Sequence, residues 1–259
     1  MPELPEVETI VTGLAPALTG QSILSVEILA KLVVKTNLDA IVGQTITGVR
    51  RYGKNILIQC GDATLAIHLG MTGKLLNNGT VSPYARVLFH LSGGTLVYDD
   101  IRQFGRIQCA TGIPRGLARL GPDPLEQSLT DFLDALKKRR SKIKPLLLDQ
   151  SFLRGLGNIY ADETLFRAGI HPCAIASRLS RARCQVLFQS IRDVLTLAIR
   201  HRGSSISDYV DASGERGGFQ KLHQVYGKEG EPCPGCGSPI KRIVVAQRGT
   251  HFCPTCQRR

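Results

Sequence analysis

The chain has 259 residues, 42% apolar and 21% charged, enough to bury a full core in one large or two medium globular domains. A net charge of +12 points to a polyanionic partner, either nucleic acid or an anionic membrane face. No run has the apolar length to span a bilayer, and the opening MPELPEVETI carries Glu3, Glu6 and Glu8 instead of a basic start with an apolar stretch behind it. The expected setting is therefore the cytosol or nucleoid, where clustered cysteines read as metal ligands and not as disulfides.

Residues 3–19 place apolar side chains at helical spacing, with Pro5 tolerated near the start and Gly20 as a stop. From about 21 to 110 the pattern changes to short β-branched runs (SILSVEIL, TITGVRRY, ILIQC, TLVYDD, RIQCA) divided by turns at Asn78-Gly79 and Gly93-Gly94. That spacing predicts an antiparallel sandwich or barrel. GIPRGLARLGPDPLEQ reads as a linker, and helical patterns follow: LTDFLDALKK, IKPLLLDQSFL, NIYADETLFRAG and SRARCQVLFQSIRDVLTLAIRHR. Gly155-Leu156-Gly157 forms a tight turn ahead of a helix opening at Asn158, and a Gly- and Ser-rich stretch leads to a cysteine-bearing C-terminal segment. The expected organisation is a β domain over 1–115, a helical domain over 121–222 and a metal module over 225–259.

Cys233-Pro-Gly-Cys236 and Cys253-Pro-Thr-Cys256 are two C-x-x-C knuckles 16 residues apart. Four thiolates at this spacing suit one tetrahedral Zn2+ and leave no open position for catalysis. The intervening PIKRIVVAQRGTHF reads as a β-hairpin with Arg248 near its tip, and Lys241, Arg242 and Arg248 make it a plausible phosphate contact. Cys60, Cys109, Cys173 and Cys184 are scattered and read as inert.

Pro2 follows the initiator methionine, which is commonly removed before so small a residue. The exposed secondary amine can attack a sugar's anomeric carbon and form an iminium, and Glu3 beside it can pass protons. Pro2 reads equally well as an ordinary N-terminal residue, and Glu3 as a helix-start acid favoured by the macrodipole.

The words themselves carry more. MPELPEVE, HLGMTG at 68–73, DIRQFG at 100–105, LLLDQSFLRGLGNIYADETLFRAGIHP at 146–172 and the terminal RGTHFCPTCQ resemble the formamidopyrimidine-DNA glycosylase family, in order and over nearly the whole chain. The resemblance implies an α+β multidomain fold: an N-terminal β-sandwich with an N-terminal helix, a helix–two-turn–helix domain and a C-terminal zinc finger β-hairpin. It implies a bifunctional enzyme acting on double-stranded DNA that holds oxidised bases or abasic sites, excising oxidised purines and cutting the strand by β,δ-elimination; a monomer is the default expectation. Pro2 would be the Schiff-base nucleophile and Glu3 the acid that opens the sugar. Glu6 matches a further active-site carboxylate, Lys54 a lysine for proton transfer or phosphate binding, and Arg248 the phosphate-gripping arginine of the zinc hairpin. Met71, Arg102 and Phe104 match the side chains that fill the hole left by an extruded base. Asn158, Arg140 and Lys144 match contacts to the DNA backbone, Asn158 through its side chain and the helix N-terminus. The flexible stretch 211–220 matches a loop that closes over the lesion.

Two departures stand out. PYARVLF occupies a position where many relatives have a His-rich strand start, which takes Tyr84 out of the set of DNA contacts. Ile101 and Gln103 replace the Pro and Arg frequent in DIRQFG. Two other readings compete. An endonuclease VIII-like enzyme would prefer oxidised pyrimidines, but LPEVE and the long Gly-rich loop favour the purine branch. A non-enzymatic zinc-ribbon DNA-binding protein would account for the charge and the cysteines and leave Pro2-Glu3, Lys54 and the Met71/Arg102/Phe104 set without a reason.

Overall fold

The structure, a computed structural model, describes residues 1–259. The chain forms two compact units, one of residues 1–119 with 198–220 and the other of residues 120–197 with 221–259. No helix is long and apolar enough to cross a membrane.

The first unit opens with helix α1 (Leu4–Leu18). Val7, Ile10, Val11, Leu14 and Leu18 repeat at three- and four-residue steps, so one stripe of the helix is buried against the sheets. Eight strands follow: β1 (Ile23–Ile28), β2 (Ile46–Tyr52), β3 (Asn55–Cys60), β4 (Ala63–His68), β5 (Lys74–Asn77), β6 (Ala85–Leu91), β7 (Gly94–Asp99) and β8 (Arg106–Thr111). They pair antiparallel in two sheets, in the orders β1-β6-β7-β5 and β2-β3-β4-β8. Ile56, Ile58, Ile67, Phe89 and Tyr98 from the two sheets share one core with α1, the sandwich option of the sequence reading. Two connections matter later: residues 69–73 join β4 to β5, and residues 100–105 join β7 to β8.

The second unit holds helices α2 (Leu129–Lys137), α3 (Ile143–Leu148), α4 (Asn158–Arg167) and most of α5 (Arg181–Arg200), and ends in the hairpin β9 (Lys241–Val245) and β10 (Arg248–Phe252). Ser128 caps α2 by accepting the Asp131 amide at 3.1 Å. The run IKPLLLDQSFL is not one helix, because α3 stops at Leu148. Asp149 turns its carboxylate onto the Ser151 amide (2.9 Å) and hydroxyl (2.7 Å), the short-range bonding that competes with helix propagation. Gln150 then braces the following turn, accepting from the Gly155 amide and donating to the Leu156 carbonyl, each at 2.8 Å. α4 therefore starts from a fixed point.

Candidate active site and nucleic-acid interface

Pro2 and Glu3 sit at the N-terminal end of α1, both buried, with Met1 half exposed before them. Beneath them Glu6 is 1% exposed. Its Oε2 accepts the Glu3 amide at 2.7 Å and its Oε1 accepts the Ser204 amide at 2.7 Å, joining segments 198 residues apart. Gly203 lies against this carboxylate at φ +73°, where an added Cβ would come within 2.6 Å of Oε1. The Tyr209 hydroxyl donates to the Glu6 carbonyl at 3.3 Å; burial, and then the Glu6 charge, push that phenol well above its ordinary pKa.

The stretch 211–220, expected to be flexible, is tied at several points. Asp211 accepts the Ser213 amide (2.9 Å) and the Glu215 amide (3.0 Å) and pairs with Arg202. Arg216 donates to the Ser205 carbonyl at 2.8 Å, and the Asn77 amide donates to the Ala212 carbonyl at 3.1 Å. Only residues 213–216 stand exposed at its tip.

Lys54, nearly buried, occupies the turn between β2 and β3. Asn55 pairs across the sheet with His68, and His68 with the exposed Arg106. Burial, followed by the charges of Lys54 and Arg106, pushes the His68 imidazole down to about 4. The ring is neutral at pH 7, and its Nδ1 accepts the Gly70 amide at 3.1 Å. Two cations beside a neutral ring make an anion-binding corner. The sequence reading named only Lys54, although His68 lies inside the HLGMTG word and Arg106 directly follows DIRQFG.

Met71, Arg102 and Phe104 stand on the 69–73 and 100–105 loops. Met71 is 43% and Phe104 55% exposed, and the Arg102 guanidinium lies 4.7 Å from the centre of the Phe104 ring. These are surface positions, not core packing. Ile101 adds a further exposed apolar group, and Gln103 adopts a left-handed backbone at φ +54°.

In the second unit one expectation fails. Lys144 does not face outward to meet a backbone phosphate: it is fully buried, with its ammonium 2.7 Å from Asp162 Oδ1 and donating to Thr250 Oγ1 (2.8 Å) and the Gly249 carbonyl (3.1 Å). The other Asp162 oxygen accepts the His251 amide at 2.9 Å. An ammonium this deeply buried persists only with all its donors used, and these partners clamp β10 to α3 and α4. Asn158 takes part in the clamp, since Nδ2 donates to the Gly249 carbonyl at 2.9 Å while Oδ1 is buried without a partner. One of its two amide hydrogens is thus used inside the fold. Arg140 is exposed. Arg248, also exposed, follows a two-residue turn in which Ala246 (φ +48°) and Gln247 (φ +60°) both take the left-handed conformation that a tight hairpin demands.

The sulfurs of Cys233, Cys236, Cys253 and Cys256 lie within 4.8 Å of one another. Cys233–Cys256 and Cys236–Cys253 are 3.9 and 3.5 Å apart, near the roughly 3.8 Å edge of a tetrahedron built from Zn–S bonds of about 2.3 Å. Amides of Gly235 and Cys256 point at Cys233 and Cys253 sulfurs, both at 3.4 Å, which suits thiolates. The module holds one structural zinc ion.

Three family models match: the formamidopyrimidine-DNA glycosylase N-terminal domain over residues 1–107, its H2TH domain over 120–210, and a zinc finger found in FPG and IleRS over 230–259. The chain belongs to the formamidopyrimidine-DNA glycosylase family. The enzyme of that name from Solibacter usitatus is 50% identical over the whole of both chains, and that of Heliobacterium modesticaldum 45% over the whole of both. Among solved structures, the Thermus thermophilus member is similar with a TM-score of 0.92 at 43% identity, covering 99% of this chain and 98% of that one. A Lactococcus lactis mutant in complex with Fapy-dG-containing DNA gives 0.92 at 38% identity with full coverage of both.

Two outcomes follow for this family member. Lys144→Met leaves Asp162 as an uncompensated buried charge and should cost about 3–5 kcal/mol of unfolding free energy, measured by denaturant titration of the zinc-loaded protein. His68 and His223 are each held at about 4, chiefly by burial, against 6.5 unfolded. Below pH 6.5 the unfolded chain takes up protons that the folded one refuses, so stability is full above 6.5 and drains away as pH falls toward 4. Thermal melts should show the midpoint dropping across that window, with a shallower fall in a His68→Asn/His223→Asn variant.

Proposed function

We propose that the chain removes oxidised purines from duplex DNA and then cuts the strand at the resulting site through a Schiff base on Pro2. The observation that carries the reading is the placement of Pro2 and Glu3 at the start of α1, with the backbone beneath them pinned by Glu6. Once Met1 is removed, the Pro2 nitrogen is a secondary amine and forms a bond to C1′ of the damaged nucleotide. The glycosidic bond breaks and the base leaves with a proton. Glu3 protonates the ring oxygen, the C1′–O4′ bond opens, and the nitrogen lone pair completes the iminium. Loss of a C2′ proton then expels the 3′ phosphate, a second elimination expels the 5′ phosphate, and water releases the sugar fragment from Pro2.

Lys54 relays a proton in the eliminations or holds the phosphate that leaves, and His68 and Arg106 enrich the same corner in positive character. Arg248 pairs with a backbone phosphate from the zinc hairpin, and the exposed Arg140 with another; the N-terminus of α4 at Asn158 offers a helix dipole to a third. Lys144 serves these contacts indirectly, by holding the strand that presents Arg248. Met71 and Phe104 enter the stack vacated by the extruded base while Arg102 hydrogen-bonds the base opposite. Segment 211–217 covers the extruded base. In this reading 1–115 is the catalytic β-sandwich domain, 121–222 the helix–two-turn–helix domain and 225–259 the zinc finger, and the enzyme works as a monomer on the bacterial nucleoid. LPEVE after the first residues and the Gly-rich loop favour oxidised purines over oxidised pyrimidines.

Borohydride trapping tests this directly, with a duplex holding 8-oxoguanine opposite cytosine and peptide mass mapping of the product. The expected adduct is on Pro2 with Met1 absent. Trapping only with an oxidised-pyrimidine duplex would move the protein to the other branch with its mechanism intact, and no adduct with any lesion or abasic site would sink the reading. Glu3→Gln should slow excision about 10²–10⁴-fold in single-turnover kinetics, the usual worth of one positioned proton donor.

A further inference from the structure

Met71, Arg102 and Phe104 stand on two loops without regular secondary structure, so something else must fix where they point. Under both loops lies Asp100, which is 0% exposed. Its Oδ1 accepts the Thr72 hydroxyl at 2.6 Å, and its Oδ2 accepts the Gly105 amide at 2.9 Å and the Tyr98 hydroxyl at 3.2 Å. The Thr72 oxygen in turn accepts the Arg102 amide at 3.2 Å. One carboxylate thus ties the residue after Met71, the residue after Phe104 and, through one hydroxyl, Arg102 itself. Burial, followed by the charge of Asp100, pushes the Tyr98 phenol well above its ordinary range, so it remains a donor at any working pH.

The backbones of the two loops also touch. A Cβ on Gly70 would come within 2.6 Å of the Phe104 carbonyl carbon, and one on Gly105 within 1.6 Å of the Tyr98 hydroxyl. Residue 100 is anchored outside the loops as well, its amide donating to the Tyr84 carbonyl at 3.0 Å and its carbonyl accepting Arg86 Nε at 2.9 Å. Three donors converge on two oxygens here. An amide in place of the carboxylate either meets the Gly105 amide donor to donor or turns its N–H toward the Thr72 hydroxyl, which must then accept and loses the acceptor for its own hydrogen.

We propose that Asp100 is a positioning residue that fixes Met71, Arg102 and Phe104 as one rigid unit, and thereby sets both how well a stacked base is extruded and how the base opposite is read. This rests on the void-filling reading of those three side chains given above. Asp100 touches neither the sugar nor the nucleophile, so its influence is confined to steps that involve the stack.

Asp100→Asn changes no volume and separates these steps. Single-turnover excision of 8-oxoguanine opposite cytosine and opposite adenine is compared with cutting of a single-stranded oligonucleotide that holds a preformed abasic site, where there is no base to extrude and no opposing base to read. Excision from the duplex should fall about ten- to a hundred-fold, the cost of misplacing a contact by about an ångström, with the cytosine–adenine discrimination reduced. Cutting of the single strand should stay within about two-fold. Equal loss of both activities would mean that Asp100 merely supports folding, and loss of neither would mean that the clasp is idle; either result overturns the proposal. Should Asp100→Asn not fold, Thr72→Ala and Thr72→Ser decide: the serine variant keeps the wild-type ratio of the two activities, the alanine variant loses it, and identical behaviour overturns the proposal. A Met71→Ala/Arg102→Ala/Phe104→Ala control identifies the source of a failure. If it excises normally, the void-filling reading falls and takes the proposal with it. If it fails while Asp100→Asn and Thr72→Ala excise normally, only the proposal falls.

Discussion

The first unit depends on the Glu6 carboxylate. A buried charge costs several kcal/mol unless its oxygens are occupied, and Glu6 meets that requirement with two backbone amides, one from Glu3 and one from Ser204. Because the donors are main-chain groups, the interaction fixes the path of the chain and not merely the angle of a side chain. The start of α1 and the Arg202-Gly203 bend take their positions from it, and the Tyr209 hydroxyl adds a bond to the Glu6 main-chain carbonyl.

The same device recurs. Asp100 ties the two loops that bear Met71 and Phe104, Asp162 ties β10 to Lys144, and Glu163 accepts the amides of Gln224, Val225 and Tyr226, fixing the approach to the zinc module on α4. Each of these acids is at most 5% exposed. The protein therefore keeps part of its small complement of carboxylates inside, holding loops, while Arg140, Arg106 and Arg248 stand outside. For a chain of net charge +12 this division serves a polyanion twice, since acids that would repel it are withdrawn and the cations are left facing solvent.

Family, fold class and zinc were legible because each is written in local words. Two C-x-x-C knuckles declare a metal wherever they fold, and the apolar stripe of α1 is visible from its spacing alone. Lys144 was not legible. In KKRRSKIK it looks no different from Arg140, and only the fold reveals Asp162 eighteen residues on and Thr250 more than a hundred residues away. The apolar Leu146-Leu147-Leu148 run beside it hinted at a buried face, but a charge run ordinarily reads as solvated. Asp100 was hidden for a similar reason: its motif marks a loop worth attention, while the hydroxyl it grips belongs to a different motif 28 residues earlier. The end of α3 at Leu148 depended on Asp149 choosing its own neighbour's amide over the helix, a competition that propensity alone does not decide.

The Glu6–Ser204 bond, which spans 198 residues, also has a consequence in time. Contacts of such sequence separation form late, because the intervening chain must be ordered before they close. On a ribosome, Pro2 and α1 emerge long before Ser204 and Tyr209. A nascent or truncated chain therefore carries the start of α1 without the Ser204 amide that holds Glu6. With Pro2 as the proposed nucleophile, competence for chemistry on DNA waits until the Ser204 segment has been made and folded back onto Glu6.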